Sequence, residues 1–312
     1  MSPRRSRAKG ILAIAIATAL LAVGCGDAGT PAGSDAAAPA EDESNDVSRH
    51  HPIKVVAADY EYTELPTEIP AGIVDLTFEN TGMVGHEVAM AGLGDTPIDR
   101  FLEDLRGGAF QLNGQAQPDY LDQVIVPPGP APGGTIEATF SMTPGRYAFF
   151  CVFTEAAPGD EEIPHYERGM FHEVTVVEGD PDPTFAPADG TITAVDYGFD
   201  VELEAGDRTV NFTNEGPRQI HFTEVKVYPE GVTAEEAEAA FARQLKGKPA
   251  GIPEPRSIGY TGILSAGLGS TFRLDQEIKS GRTYLFACFV QDREGGESHA
   301  ISHDEYLAVT IE

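Results

Sequence analysis

From Val55 onward, hydrophobic and polar residues alternate in short runs. Turn signals such as those in "PAGIVDLTFENTG", "PPGPAPGGT" and "SGRT" break them up. This period-two pattern predicts strands with one buried face. Two stretches switch to helical spacing. In "TPIDRFLEDLRGG" Ile98, Phe101, Leu102 and Leu105 fall on one helix face, and "TAEEAEAAFARQL" opens with a threonine cap and an early glutamate pair. Closely spaced strands with one short helix predict a Greek-key sandwich, an all-β fold with a helical insertion.

The pattern occurs twice. "VAADYEY" (56–62) matches "TAVDYGF" (193–199), "VDLTFENTG" (74–82) matches "RTVNFTNEG" (208–216), and "GRYAFFCVF" (145–153) matches "GRTYLFACFV" (281–290). The offset of about 135 residues is too long for a solenoid unit and predicts a duplicated domain. Pro, Asp and Gly interrupt the strands at "EGDPDPTFAPADG", so the expected domains are 52–178 and 184–312.

The chain before them differs in character. "MSPRRSRAKG" is basic, and an apolar run of thirteen residues follows, Ile11–Val23. That is too short to span a bilayer comfortably and fits a signal peptide, residues 1–24. "LAVGC" resembles a bacterial lipobox, which implies a lipidated Cys25 at the mature N-terminus. The Gly-, Ala-, Pro- and acid-rich segment 25–51 has little to bury and reads as a disordered tether reaching roughly 25–30 Å. The expected location is extracytoplasmic, with the protein anchored to the cell membrane as a lipoprotein.

The net charge is −29, and four basic residues fall in the expected signal, so the mature chain is more acidic still. This argues against nucleic acid as a partner and leaves a basic redox partner or a salty habitat compatible with the surface.

Apart from Cys25, the cysteines are Cys151 and Cys288, at equivalent places in the two repeats. Equivalent positions in separate sandwiches rarely approach within the roughly 7 Å that a disulfide requires, and a free thiol outside the cytoplasm gains protection from a metal. His86 opens the run "HEVAM" after an Asn/Gly turn, where it would share a strand face with Val88 and Met90. His165 and Met170 follow Cys151. The order His…Cys…His-x4-Met resembles the blue-copper motif of cupredoxins such as plastocyanin and azurin. The resemblance implies two tandem cupredoxin-like sandwiches. It also implies one copper per chain, with His86, Cys151 and His165 in a trigonal plane and Met170 as the weak axial ligand. Soft thiolate and thioether suit Cu(I), and imidazole suits both copper states. The thirteen residues between Cys151 and His165 exceed the plastocyanin-like loop, and nitrite reductases have a longer loop of the same type.

In the second copy His221, Cys288 and His299 match the first three ligands and form a weaker candidate site. Five residues after His299 stands Asp304, flanked by His303 and Glu305; a carboxylate as axial group would make a harder site, and His303 would make a His3Cys set that zinc could also accept. In "IHFTEV", Ile220 and Phe222 compete with His221 for the inward face. The expectation is a degenerate, mainly structural second domain. Oxidases and nitrite reductases place a histidine beside the blue-copper cysteine; here Phe150 and Val152 flank Cys151, and Ala287 and Phe289 flank Cys288. The expected function is therefore one-electron transfer by a tethered copper protein that is not an enzyme. The alternatives are copper storage or delivery, or a metal-free binding module.

Overall fold

The computed structural model describes residues 49–110, 115–157, 159–180 and 183–312. The signal peptide, Cys25 and nearly all of the tether lie outside the described residues. Among those described, no helix is long and apolar enough to cross a membrane.

The first repeat contains β1 (His50–Ala58), β2 (Glu61–Glu64), β3 (Glu68–Pro70), β4 (Gly72–Asn80), β5 (Ala89–Gly92), α1 (Ile98–Arg106), β6 (Val124–Val126), β7 (Thr135–Met142), β8 (Gly145–Phe150), a 3-10 turn (His165–Arg168) and β9 (Phe171–Val177). The second contains β10 (Gly190–Val195), β11 (Gly198–Glu202), β12 (Thr209–Asn214), β13 (Glu224–Val227), α2 (Ala234–Leu245), β14 (Arg256–Tyr260), β15 (Ile263–Leu264), β16 (Gly269–Arg273), β17 (Arg282–Ala287), α3 (His299–Ser302) and β18 (Tyr306–Ile311). Strand β1 starts at His50, inside the segment read as tether. There its backbone pairs in parallel with β4, and His50 Nδ1 lies 2.9 Å from Asp75 Oδ2.

Each repeat is a sandwich of two sheets. The order β2-β1-β4-β7 continues through the β7–β16 pair into β16-β12-β10-β11, giving one eight-stranded sheet across both repeats. Opposite it lie β3-β9-β8-β5-β6, extended by β15 of the second repeat, and β14-β13-β17-β18. The two repeats are thus joined through backbone ladders, and their inter-sheet residues form one core.

The helices explain why the cysteine-bearing strands are continuously apolar. Phe101, Leu102 and Leu105 of α1 pack with Ala89, Ala91, Ala148 and Phe150 on the outer face of β5 and β8. In the second repeat Ala237 and Phe241 of α2 cover Leu285, Ala287 and Ala308. A strand buried on both faces reads as an apolar run rather than as an alternation. The Thr233 hydroxyl accepts the Glu236 N–H, and the Glu236 carboxylate accepts the Thr233 N–H, a capping box that starts α2.

Candidate metal centre

Three local devices bring the first set of ligands together. The first is Asn80, at the end of β4 and fully buried. Its Nδ2 donates to Val84 O at 2.8 Å and Pro130 O at 3.2 Å, while its Oδ1 accepts the Gly82 N–H at 2.9 Å. These bonds fold the "NTGMVG" loop so that its end points inward. His86 therefore lies in the loop ahead of β5, not on the strand predicted for it. A Cβ at Gly129 would collide with the His86 carbonyl, so glycine is needed where the two backbones touch.

The second device is the exit from β8. Phe150 faces the helix-covered side, and Cys151 faces the core between the sheets. The chain then makes its acidic loop and returns. The His165 N–H donates to Phe153 O at 2.9 Å and the Tyr166 N–H to Cys151 O at 3.0 Å. Met170 follows, its N–H bonded to His165 O at 3.0 Å, and its carbonyl accepts the Cys151 N–H at 3.2 Å. Gly169 supplies the left-handed φ of 106° that turns the chain from His165 to Met170.

The third device is the β1–β2 turn. Asp59 and Tyr60 both have positive φ, 44° and 74°, as in a type I′ hairpin. The turn places the Tyr60 ring edge-on to His165 at 4.8 Å and to His86 at 6.3 Å. The Tyr60 hydroxyl donates to Asp160 at 3.0 Å and accepts the Ala157 N–H at 2.9 Å, and the Arg168 guanidinium covers the ring's other surroundings at 4.3 Å from its centroid.

His86, Cys151, His165 and Met170 are each 0% exposed. His86 Nδ1 lies 3.1 Å from His165 Nδ1, and Cys151 Sγ lies 3.4 Å from His165 Nδ1. His165 Nε2 is 2.7 Å from the Glu155 carbonyl, which can only accept, so the ring proton sits on Nε2 and the Nδ1 lone pair faces the thiol. Burial, then the neighbouring His165, holds His86 down to about 4 against the pull of Asp59. Burial also lowers His165, against the Glu155 carbonyl. Both rings are therefore neutral ligands at neutral pH. Burial, then Glu87, pushes the Cys151 thiol well above its ordinary range, so an incoming ion must displace that proton. Two converging imidazole nitrogens, a soft sulfur that also accepts the Glu87 N–H at 3.4 Å, and an adjacent methionine fit copper.

The second repeat follows the same plan. Asn214 Nδ2 donates to Gln219 O at 2.9 Å and Leu264 O at 2.8 Å, and the Gly216 N–H bonds back to its Oδ1 at 3.0 Å. His221 is fully buried and pairs with Leu264, while Ile220 and Phe222 stay partly exposed. Asp196 and Tyr197 repeat the positive-φ turn at 28° and 67°, and the Tyr197 ring stacks on His303 at 3.6 Å. His303 and Asp304 are exposed. Glu305, 0% exposed, takes the place of Met170: the Cys288 N–H bonds to Glu305 O at 3.2 Å and the Glu305 N–H to His299 O at 3.2 Å. Cys151 and Cys288 are both free and buried.

The sequence offered Glu305 only as one of three candidates, with Asp304 and His303, and it left the covering Tyr60 and Tyr197, and Glu87, unmarked. The paired "DY" of the internal repeat was the available signal for the tyrosines.

No protein-family model and no curated protein matches the sequence. Among solved structures, the chain is similar to a dithionite-reduced auracyanin from Roseiflexus castenholzii (24% identity over 40% of this chain and 96% of that one, TM-score 0.29). It is also similar to auracyanin B (23% identity, 43% of this chain and 93% of that one, TM-score 0.30). A third likeness is to a copper nitrite reductase from Nitrosomonas europaea (13% identity, 85% of this chain and 94% of that one, TM-score 0.24). The fold itself is read from its own strands, as a β-sandwich in each repeat. The chemistry of the site is likewise read from its own donors, because likeness at this level carries no assignment.

Proposed function

We propose that the first repeat is a one-electron carrier whose copper is held by His86, Cys151 and His165, with Met170 as the weak fourth ligand. The observation that carries this reading is the convergence of two Nδ1 atoms and one Sγ in a fully buried pocket. One of those lone pairs is aimed by a separate bond to Glu155. Bound copper supplies the Cu(II)/Cu(I) couple. The chain supplies rigidity: the Asn80 bonds, the ladder exit at Cys151 and the Gly169 turn hold the donors in place whichever charge they face. A fixed donor set lowers the reorganisation that electron transfer requires. The buried ligands favour a carrier over a storage or delivery protein, which must release its ion. Phe150 and Val152 beside Cys151 favour a carrier over an oxidase or reductase, since neither can pass an electron to a further metal.

In this reading Cys25 carries the lipid, and the tether lets the acidic protein meet a basic redox partner at the membrane's outer surface. Cu(II) added to the metal-free protein is expected to give an intense thiolate-to-copper absorption. Cys151→Ser abolishes it, and Met170→Leu keeps the ion but shifts the potential. Unchanged copper content in Cys151→Ser would overturn the proposal. For the anchor, Cys25→Ser is expected to release the protein from the membrane fraction; an unmodified residue following Cys25 at the mature N-terminus would refute it.

A further inference from the structure

The second repeat was expected to be degenerate, yet it gathers four donors, with a carboxylate where the first repeat has Met170. Glu305 Oε1 lies 2.9 Å from His221 Nδ1, and Oε2 lies 2.9 Å from His299 Nδ1. Cys288 Sγ is 3.5 Å from His299 Nδ1 and 4.0 Å from His221 Nδ1. All four residues are essentially without solvent exposure. Around an ion with bonds of 2.0–2.3 Å, neighbouring donors stand roughly 3.3–3.6 Å apart, so small movements would close this set on a metal.

We infer that His221, Cys288, His299 and Glu305 form a second metal site, which takes a borderline divalent ion, Cu(II) or Zn(II), and keeps it divalent.

Two further observations point to a cation there. Neither Glu305 oxygen has a hydrogen-bond partner of proper geometry, although a buried carboxylate normally takes several. His299 Nε2 faces the Asp292 carboxylate at 3.4 Å, within ion-pair reach but without a hydrogen bond. Its Nδ1 and the Nδ1 of His221 each stand 2.9 Å from a Glu305 oxygen with no hydrogen bond between them. An ion between them engages the orphaned carboxylate and both inward nitrogens at once. Asp292 stands behind His299 where the Glu155 carbonyl stands behind His165, but at 3.4 Å rather than the 2.7 Å of that hydrogen bond.

Charge sets the preferred valence. Thiolate and carboxylate together neutralise a dication in a pocket closed to water. Reduction to Cu(I) would leave one uncompensated negative charge buried there, which is costly. The first site has one anionic donor, Cys151, and becomes neutral on reduction. The same protein plan thus yields one site that cycles and one that does not, and the exchange of Met170 for Glu305 makes the difference.

The test uses the mature chain purified after growth with copper and zinc, with metal content measured per chain. Two ions are expected. Cys151→Ser is expected to retain one ion, and Cys288→Ser is expected to lose the second while keeping the first site's colour. Ascorbate should bleach the first site, leaving the second ion either as an EPR-visible Cu(II) signal or as zinc in the analysis. Glu305→Gln preserves the side-chain shape and serves if Cys288→Ser misfolds; it should abolish the rise in melting temperature that the second ion produces. Glu305→Met should convert the site into a second bleachable thiolate–copper chromophore, roughly doubling that absorption. One ion per chain, lost in Cys151→Ser and retained in Cys288→Ser, would overturn this inference and leave the proposed function standing. One ion lost in Cys288→Ser alone would do the reverse. Bleaching of both sites by ascorbate would refute the fixed valence.

Discussion

Glu87 follows His86, a proposed copper ligand, and is 8% exposed. Its Oε1 accepts the Val152 N–H at 3.0 Å, which favours the carboxylate, but burial outweighs this and pushes the carboxyl up to about 7 from an ordinary 4.5. In the folded metal-free protein Glu87 therefore keeps its proton over a range in which the unfolded chain has released it. The native state binds more protons there, so stability falls as pH rises from 4.5 to about 7. A shift of this size corresponds to roughly 3 kcal/mol. His86 acts in the opposite direction. Held down to about 4, it makes the unfolded chain the better proton acceptor below its ordinary 6.5, so stability rises with pH over that window. The two slopes offset one another in the wild type. Glu87→Gln keeps an oxygen for Val152 and does not titrate. Urea unfolding of the chelated protein, from about pH 4 to about pH 8, should give equal stabilities at the acid end and a Gln variant more stable by roughly 3 kcal/mol at the alkaline end. The variant's own profile should climb with pH more steeply than the wild type's. A difference that stays within about 0.5 kcal/mol across the range, or a Gln variant less stable above pH 7, would refute the assignment of a buried, proton-holding Glu87.

With copper bound, ionised Glu87 favours the more positive oxidation state, so the first site's potential should fall as pH rises and the slope should vanish in Glu87→Gln, measured by redox titration. Asn80→Ala removes the bonds to Val84, Pro130 and Gly82 and strands buried carbonyls; a loss of about 2–4 kcal/mol in urea unfolding is expected, with weakened copper retention. Gly129→Ala forces the His86 carbonyl to move, so copper affinity in competition with a chelator should drop by about tenfold or more while melting of the metal-free chain changes less.

Much of the fold is written locally. The helices at 98–106 and 234–245 show in their spacing and caps, and the repeat shows in paired segments such as "ENTG" and "TNEG". What the spacing left open was the joining of the repeats. Ser270 pairs with Phe140, and Leu264 with Ile125, but period-two alternation looks the same whether a strand edge meets solvent or another repeat. The parallel pairing of β1 with β4 is equally silent, because it depends on β3 crossing to the opposite sheet first. His86, Cys151, His165 and Met170 could be named because ligand chemistry and chain order both mark them. Glu87 could not, since a glutamate beside a ligand carries no sign of its burial.

Glu305 shows why counting residues left three candidates, Asp304, His303 and Glu305, for the place of Met170 in the second repeat. Met170 stands five positions after His165, and the same count from His299 reaches Asp304. The conserved quantity is the backbone path, not the count. In the first repeat a 3-10 turn at His165–Arg168 is followed by Gly169 at φ 106°; in the second, α3 carries the chain one residue further, through His303, before Asp304 takes the left-handed turn at φ 53°. Asp is among the few residues besides Gly that tolerate that conformation. Aligning the two left-handed residues places Glu305 on Met170, and the matching bonds to the cysteine and histidine backbones agree. The Asp-Glu pair before "YLAVTI" was thus the readable signal: a turn residue, then an inward carboxylate at the mouth of β18, where the first repeat has Gly-Met before "FHEVTVV". A one-residue change in helical winding turned an aligned ligand into an apparent loss, and the ligand's change from thioether to carboxylate is what separates the redox behaviour inferred for the two sites.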